Sequence, residues 1–402
     1  MSTINAITSP APAIVTTVDS TGNLILQTAG TNAVTYDANQ NATHTGYISA
    51  PNTFGYKNRI INGAMMIDQR NFGSATSGAS NVYMVDRFLI QGSQTGKFNY
   101  QQMNSANTSA PNYEASSAPT GFTNSIKITV GTPVTVGSSD YFIVRQPIEG
   151  NNVADFGYGT SAAQTATLSF WVKSSLTGLH SGHLTNASST RWYTFTYTIN
   201  AVNTWQYVSV TIPGDITGTW NRDNQMGIYV GWSLGTGASN QTSAGAWTTS
   251  TGIGVTGEVN TVATSGATWY ITGVQFEAGK VSTPFDMRSY GTELQMCQRY
   301  FASMTMPTGT SVDGYNPYGA SYNSYFPVTL SLRTQPSVSF VGSGMQYYSD
   351  GGAWTSVGSF SYNNPFSSFG PVFVGFATDT QTSKLIRNNS GSNVYFQFSA
   401  EL

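Results

Sequence analysis

An all-β fold built around a two-sheet antiparallel sandwich is what this chain predicts, on three observations. Charged residues make up only 8% of the 402 positions, against about a quarter in an average soluble protein, while aromatics reach 13% and glycines number 42. Segment after segment alternates apolar and polar side chains with the two-residue period of a half-buried strand. Helical spacing is convincing only once, late in the chain, after a strand that ends at Gly279. A chain of this length exceeds what one core usually spans, so two or three domains are expected.

Residues 1–57 carry three charges, Asp19, Asp37 and Lys57, and few large apolar groups, too little to enclose a core of their own. Leu24-Ile25-Leu26 and Ala33-Val34-Thr35-Tyr36 are short strand candidates joined by a turn-rich link. The segment reads as an attachment and oligomerisation anchor, or alternatively as a flexible leader.

Residues 58–290 are assigned to the sandwich. Asn62-Gly63, between Ile60-Ile61 and Met65-Met66-Ile67, predicts a hairpin, because both central positions of a type I′ turn favour positive φ. Residues 82–91 follow as one strand, on which Asp86 and Arg87 are expected to form a salt bridge near the sheet edge. Ile126, Ile128 and Val130 then face one way with Lys127 and Thr129 the other. The same alternation runs through Leu168, Phe170 and Val172, through Tyr193, Phe195 and Tyr197, through Val208, Val210 and Ile212, and through Ile228, Val230, Trp232 and Leu234. With the strand from Trp269 to Gly279 the total is eight or nine strands, the number of a two-sheet sandwich. Residues 235–266 form a long polar interruption, expected at one end of the sandwich beside other loops.

Residues 291–402 comprise a linking helix and a distal β domain. Pro284 stops strand pairing. Thr292 then caps a helix with Gln295 three residues on, and Leu294, Cys297, Tyr300 and Phe301 recur at helical spacing. Past Met304 the composition turns to Tyr, Ser, Gly and Asn, with strands expected at residues 325–330, 337–340, 372–374 and 394–398.

Several stretches carry a family resemblance. Asn58-Arg-Ile-Ile-Asn-Gly-Ala-Met-Met-Ile-Asp-Gln-Arg70, Val85-Asp-Arg-Phe88, Arg145-Gln-Pro-Ile-Glu149, Leu168-Ser-Phe-Trp-Val-Lys173, Trp205-Gln-Tyr-Val208, Ile271-Thr-Gly-Val-Gln-Phe-Glu-Ala-Gly279 and Tyr290-Gly-Thr-Glu-Leu-Gln-Met-Cys-Gln-Arg-Tyr300 appear in that order. Together they resemble the central, carbohydrate-binding-module-like jelly-roll domain of bacteriophage tail-fibre and virion adhesin proteins, over residues 58–301. Residues 22–34 resemble the amino-terminal segments by which such fibres wrap together or are gripped by a tail component, and residues 394–402 resemble their closing strand. The resemblance implies a jelly-roll sandwich, a homo-oligomer with a trimer favoured, contact with other virion proteins through the amino-terminal segment, attachment to host surface glycans, and a virion location after synthesis in the host cytoplasm and release by lysis.

Composition bounds the chemistry. A net charge of -2 supplies no positive field for nucleic acid. No run of about 18 apolar residues marks a membrane span, and residues 1–18 lack the pattern of a secretion signal. Cys297, the single cysteine, excludes an intrachain disulfide framework and reads as a buried, inert thiol. The eighteen acids are scattered singly, whereas glycoside hydrolysis needs two carboxylates facing one another across a sugar. No nucleophile elbow, phosphate loop, zinc set or solenoid period is found. His180-Ser-Gly-His183 reads as an exposed polar loop without enough ligands for a metal. Neither catalysis nor a cofactor or metal is expected.

What remains is aromatics among polar neighbours. Sugar rings lay their C–H faces on aromatic planes while amide and carboxylate side chains bond their hydroxyls. The candidate ligand residues are Trp220, Asn221, Asp223 and Trp247 in the sandwich, and Tyr315, Asn316 and Tyr318 in the distal domain. The expected function is a tail fibre holding host glycans; the alternatives are a head fibre, capsid decoration or tail-assembly protein without receptor binding, and a polysaccharide depolymerase.

Overall fold

The computed structural model describes residues 24–28, 31–36, 42–44, 56–78, 80–309, 311–313, 323–328, 332–334, 336–342, 345–348, 354–356, 360–362, 372–377, 385–388 and 393–402. The chain divides into two compact units, residues 1–53 and 54–402. In the first, β1 (Leu24–Thr28), β2 (Thr31–Tyr36) and β3 (Ala42–His44) form one antiparallel sheet in that order.

The second unit holds the sandwich. Its strands are β4 (Thr76–Ser77), β5 (Val82–Val85), β6 (Phe88–Gly92), β7 (Phe98–Asn104), β8 (Asn124–Val130), β9 (Tyr141–Glu149), β10 (Ala166–Ser174), β11 (Gly178–Asn186), β12 (Trp192–Ile199), β13 (Gln206–Ile212), β14 (Met226–Thr236), β15 (Trp247–Thr248) and β16 (Thr268–Ala278). A six-stranded sheet runs β13-β10-β16-β8-β7-β4, and a seven-stranded sheet runs β15-β12-β11-β14-β9-β6-β5, with every pairing antiparallel. This is the all-β jelly-roll sandwich the sequence called for.

Alternation decides which side chains enter the core. Leu168, Phe170 and Val172 on β10 meet Val230, Trp232 and Leu234 on β14 within one apolar cluster, and Phe170 meets Trp232 edge-on at 5.5 Å between centroids. Phe98 and Phe142 repeat the contact at 5.9 Å nearer the other edge. Trp232 and Trp269 are fully buried; truncating either to alanine would cost about 3–5 kcal/mol in transfer and cavity energy.

Several local expectations need correction. Asn62 does adopt positive φ (61°), but its flanks form no strand pair. Asn58 instead bonds Val274 and Phe276 of β16, while Ile61 exchanges both backbone groups with the Gln146 side chain on β9. The stretch is a staple between the two sheets, and a Cβ on Gly63 would lie 2.2 Å from the Val274 carbonyl. Residues 82–91 are a hairpin, not one strand: Asp86 and Arg87 form its two-residue turn, with Val85 opposite Phe88 and Arg87 at φ 71°. Asp86 and Arg87 are both buried and do not pair with each other. Asp86 accepts from the Gln69 backbone and side chain at 2.7 and 2.9 Å, and Arg87 is bonded to Glu401 and to the Pro147 carbonyl.

The strands number more than eight or nine, because β4, β7, β9, β11 and β15 went unread and residues 82–91 hold two. Pro147 within β9 and the two histidines within β11 hid their extended character. His180 and His183 are not an exposed loop; they are 1% and 0% exposed on opposite faces of β11. Residues 235–266 do not simply cap one end. They fold over the outer face of the seven-stranded sheet, where Ile253 packs on Ile143 and Trp192, and Glu258 accepts hydroxyls from Ser181, Ser233 and Thr236.

The single α-helix among the described residues, α1 (Tyr290–Gln298), starts two residues before the expected cap. Ser289 is its N-cap residue, and Tyr300 and Phe301 lie beyond its end. Cys297, Tyr300, Ile61 and Ile67 make a satellite core beneath it. The distal strands are β17 (Phe301–Met306), β18 (Ser311–Asp313), β19 (Asn323–Val328), β20 (Ser337–Val341), β21 (Met345–Tyr348), β22 (Trp354–Ser356), β23 (Phe360–Tyr362), β24 (Val372–Ala377), β25 (Leu385–Asn388) and β26 (Val394–Ser399). They form sheets β17-β26-β20, β18-β25-β21-β22 and β19-β24-β23.

Candidate functional site: an aromatic end of the sandwich

One end of the sandwich gathers the turns that follow β9, β13 and β16 and precede β10, β12 and β14. Two of these turns, residues 150–165 and 213–225, are laced together. Gly150 and Asn151 donate backbone hydrogens to Gln225 and Asp223, each at 2.8 Å, and Gly159 donates to Asp215 at 2.7 Å. The approach is close enough to require glycine: a Cβ on Gly150 would sit 2.5 Å from the Asn221 carbonyl, and one on Gly159, at φ 82°, 2.7 Å from that of Gly218. Asp215, 2% exposed, receives both arms of the Arg191 fork at 2.7 Å. Such bidentate geometry fixes orientation as well as distance.

On this base the turns hold an aromatic cluster. Trp220 and Trp247 meet edge-to-face at 5.4 Å and 86°. Tyr158 lies under both, at 5.1 and 5.7 Å, and Tyr193 touches Trp247 at 5.3 Å. Each indole N–H is tied to a carbonyl, Trp220 to Thr217 at 3.1 Å and Trp247 to Pro213 at 2.7 Å. Tyr158 and Tyr193 are buried, whereas both tryptophans stay half-buried. The Tyr158 hydroxyl has no partner, and burial pushes its phenol pKa well above the ordinary range.

The structure thus brings together Trp220 and Asn221, on the turn of residues 213–225, and Trp247, on β15. Asn221 donates to the Met226 carbonyl at 3.0 Å. Asp223 is exposed and accepts from the Gln225 backbone, so it shapes the turn beside the cluster. Tyr315, Asn316 and Tyr318 lie outside the described residues.

Sequence reasoning missed a groove at the same end, of about 530 Å3, lined among others by Tyr56, Arg59, Asn152, Gln295, Met296 and Arg299. Its walls come from three segments far apart in the chain; the only signal was that two of them belong to the recurring stretches at residues 58–70 and 290–300. No carboxylate lines it among the described residues. Arg299 grips Glu149 at 2.7 and 2.9 Å, and Tyr300 donates to the same carboxylate at 2.6 Å. Burial alone would raise the Glu149 carboxyl, but these bonds outweigh it and hold it below its usual range.

The two histidines are held neutral by their surroundings. Burial pushes both imidazoles down, that of His183 to about 3. No group of three or more His, Cys, Asp or Glu side chains among the described residues is placed to hold a metal ion. Cys297 is fully buried, and burial pushes its thiol well up.

No protein-family model matches the chain, and no curated protein does. Among solved structures it is similar to the enzymatically active domain of tailspike protein 4 of bacteriophage CBA120, at 12% identity over 56% of this chain and 22% of that one, with a TM-score of 0.30. The chain therefore spans about a fifth of that domain's length. It is also similar to the family 11 carbohydrate-binding module from Clostridium thermocellum in complex with a β-1,3-1,4-mixed-linked tetrasaccharide (8% identity, 52% of this chain and 97% of that one, TM-score 0.25). A third match is a family 61 module, TmCBM61, in complex with β-1,4-galactotriose (11% identity, 48% and 88%, TM-score 0.23).

Proposed function

We propose that this protein is a non-catalytic glycan-binding protein of a bacteriophage virion, a tail fibre or related adhesin that attaches the particle to host surface saccharides. The observation that supports the reading is the Trp220–Trp247 pair: two half-buried indoles at right angles, Trp220 on a turn that the Arg191–Asp215 fork and three backbone hydrogen bonds lock in place, and Trp247 on β15, tied to the same turn through the Pro213 carbonyl. A fixed aromatic corner presents an apolar plane to the C–H face of a sugar at little ordering cost. The Asn221 amide beside it, and the amide and guanidinium groups of the adjoining groove, supply hydrogen bonds to hydroxyls. Each site would bind weakly, and several linked on one particle would bind tightly by avidity.

The test is a saccharide panel read by intrinsic tryptophan fluorescence and calorimetry. Trp220→Ala and Trp247→Ala should each weaken the best saccharide at least tenfold, the effect of losing about 1.4 kcal/mol, while the melting transition stays cooperative. Shortened saccharide chains after incubation would replace this reading with a depolymerase, and binding unchanged in both variants would remove the aromatic corner from the site. Labelling of the capsid rather than the tail in electron micrographs would move the protein to a head fibre or decoration role.

A further inference from the structure

Every other arginine whose side chain is described gives its guanidinium to a carboxylate or a carbonyl, through bonds such as those of Arg59, Arg87, Arg222, Arg288 and Arg333. Arg145 does not. It stands on the outer face of the seven-stranded sheet, on β9, with its Nε buried and unbonded and no acid beside it. Its guanidinium carbon sits 3.8 Å over the Tyr229 ring. Stacking engages the face of the fork and leaves its N–H edges, the edges that grip a planar oxyanion in pairs, without a partner inside the protein.

The register places this group in a defined row of side chains. Across the sheet His183, Gly231, Arg145, Leu89 and Tyr83 stand in one row on β11, β14, β9, β6 and β5. Gly231 lets its neighbours close over the strand: a Cβ there would lie 2.7 Å from the His183 ring and 3.2 Å from the Arg145 Cβ, so the row is tightly packed at β14. His183 faces the Ile253 carbonyl with Nδ1 at 3.2 Å. A carbonyl can only accept, so that nitrogen carries the proton and the neutral ring adds no charge to compete with the arginine. Residues 252–258 cover the β11 side of this face, whereas Arg145, Tyr229, Leu89 and Tyr83 keep part of their surface in solvent.

We propose that Arg145, stacked on Tyr229 on the partly exposed side of this row, is a subsite for the oxyanion of an acidic saccharide. The ligand class is a sugar carrying a carboxylate or a phosphate ester, and the proposal rests on the glycan-binding reading above. An unpaired cation that is partly out of water weakens a fold, and an external oxyanion would supply the charged partner that this site lacks.

The experiment compares binding of neutral, uronate-bearing and phosphate-bearing oligosaccharides to the full chain, in wild type, Arg145→Gln and Arg145→Met, with melting curves for all three proteins. The expected result is selective binding of an acidic class, weakened tenfold or more by either substitution and by raising salt, with melting temperatures equal to or above wild type. The carboxylate and phosphate arms identify which oxyanion is read. Binding of neutral saccharides alone would overturn the inference and leave the glycan reading standing; binding of no saccharide would overturn both. Acidic binding that survives in both variants, or variants that fail to fold, would also overturn it, the latter by making Arg145 a structural residue.

Discussion

Two buried groups, Asp86 and His183, tilt the stability of the fold in opposite directions with pH. Burial, eased by the nearby Arg70 charge and the Gln69 hydrogen bonds, raises the Asp86 carboxyl from 3.8 to about 7. Between those values the unfolded chain releases a proton that the folded chain keeps, so stability falls as pH rises through that window. For His183, burial and then the Arg145 charge lower the imidazole from 6.5 to about 3. Here the unfolded chain takes up a proton that the folded chain refuses, so stability grows as pH rises from about 3 to 6.5. Over roughly pH 4 to 6.5 the two slopes oppose each other. Asp86→Asn should therefore make the urea midpoint climb with pH across this interval, and His183→Gln should make it fall. Parallel profiles in wild type and both variants would show that neither group titrates as its surroundings dictate.

At the scale of the element, the turn of residues 213–225 depends on Arg191. Arg191→Ala leaves Asp215 with only the Thr217 backbone and hydroxyl as partners. A loss of about 1–3 kcal/mol is expected, with a red-shifted Trp220 emission and saccharide binding reduced as far as in Trp220→Ala. Denaturant melts and fluorescence spectra of the variant check both effects. The strands that alternate cleanly, such as β10, β13 and β14, were legible in the sequence because one face of each meets a core. β9 was not: Pro147 lies beyond the part of the strand that β6 pairs with, so the missing N–H costs that ladder nothing. β11 was hidden by Gly182, where a Cβ would strike Phe195 at 2.3 Å and the Gly231 carbonyl at 2.4 Å; a glycine demanded by close packing looks in sequence like a loop. For the site, the tryptophans could be singled out as aromatics among polar residues. That Trp220 and Trp247 touch, and that residues 56–59 and 292–299 share a groove, follows from sheet topology and left no local trace.

For the molecule as a whole, the decisive long-range contact is Glu401, which accepts Arg70 at 2.6 Å and also Arg87, while Arg87 lies over the Tyr300 ring at 3.6 Å. Glu401→Ala would strand the fully buried Arg87 and should cost about 3–5 kcal/mol, measured as a lowered denaturant midpoint. A sandwich so poor in charge is also expected to close its edges against sister chains. Mass measurement in solution should find a trimer, and a clean monomer at micromolar concentration would remove the fibre proposal.

The Glu401 clamp also sets an order of assembly. Arg87 and its anion are separated by 314 positions, so during synthesis the hairpin that carries Arg87 emerges from the ribosome long before its counter-charge exists. Until residue 401 clears the exit tunnel, Arg87 either stays solvated or is buried without its counter-charge, at the cost that Glu401→Ala would show. The emergence of residue 401, rather than the making of the sandwich strands, becomes the event that neutralises that hairpin.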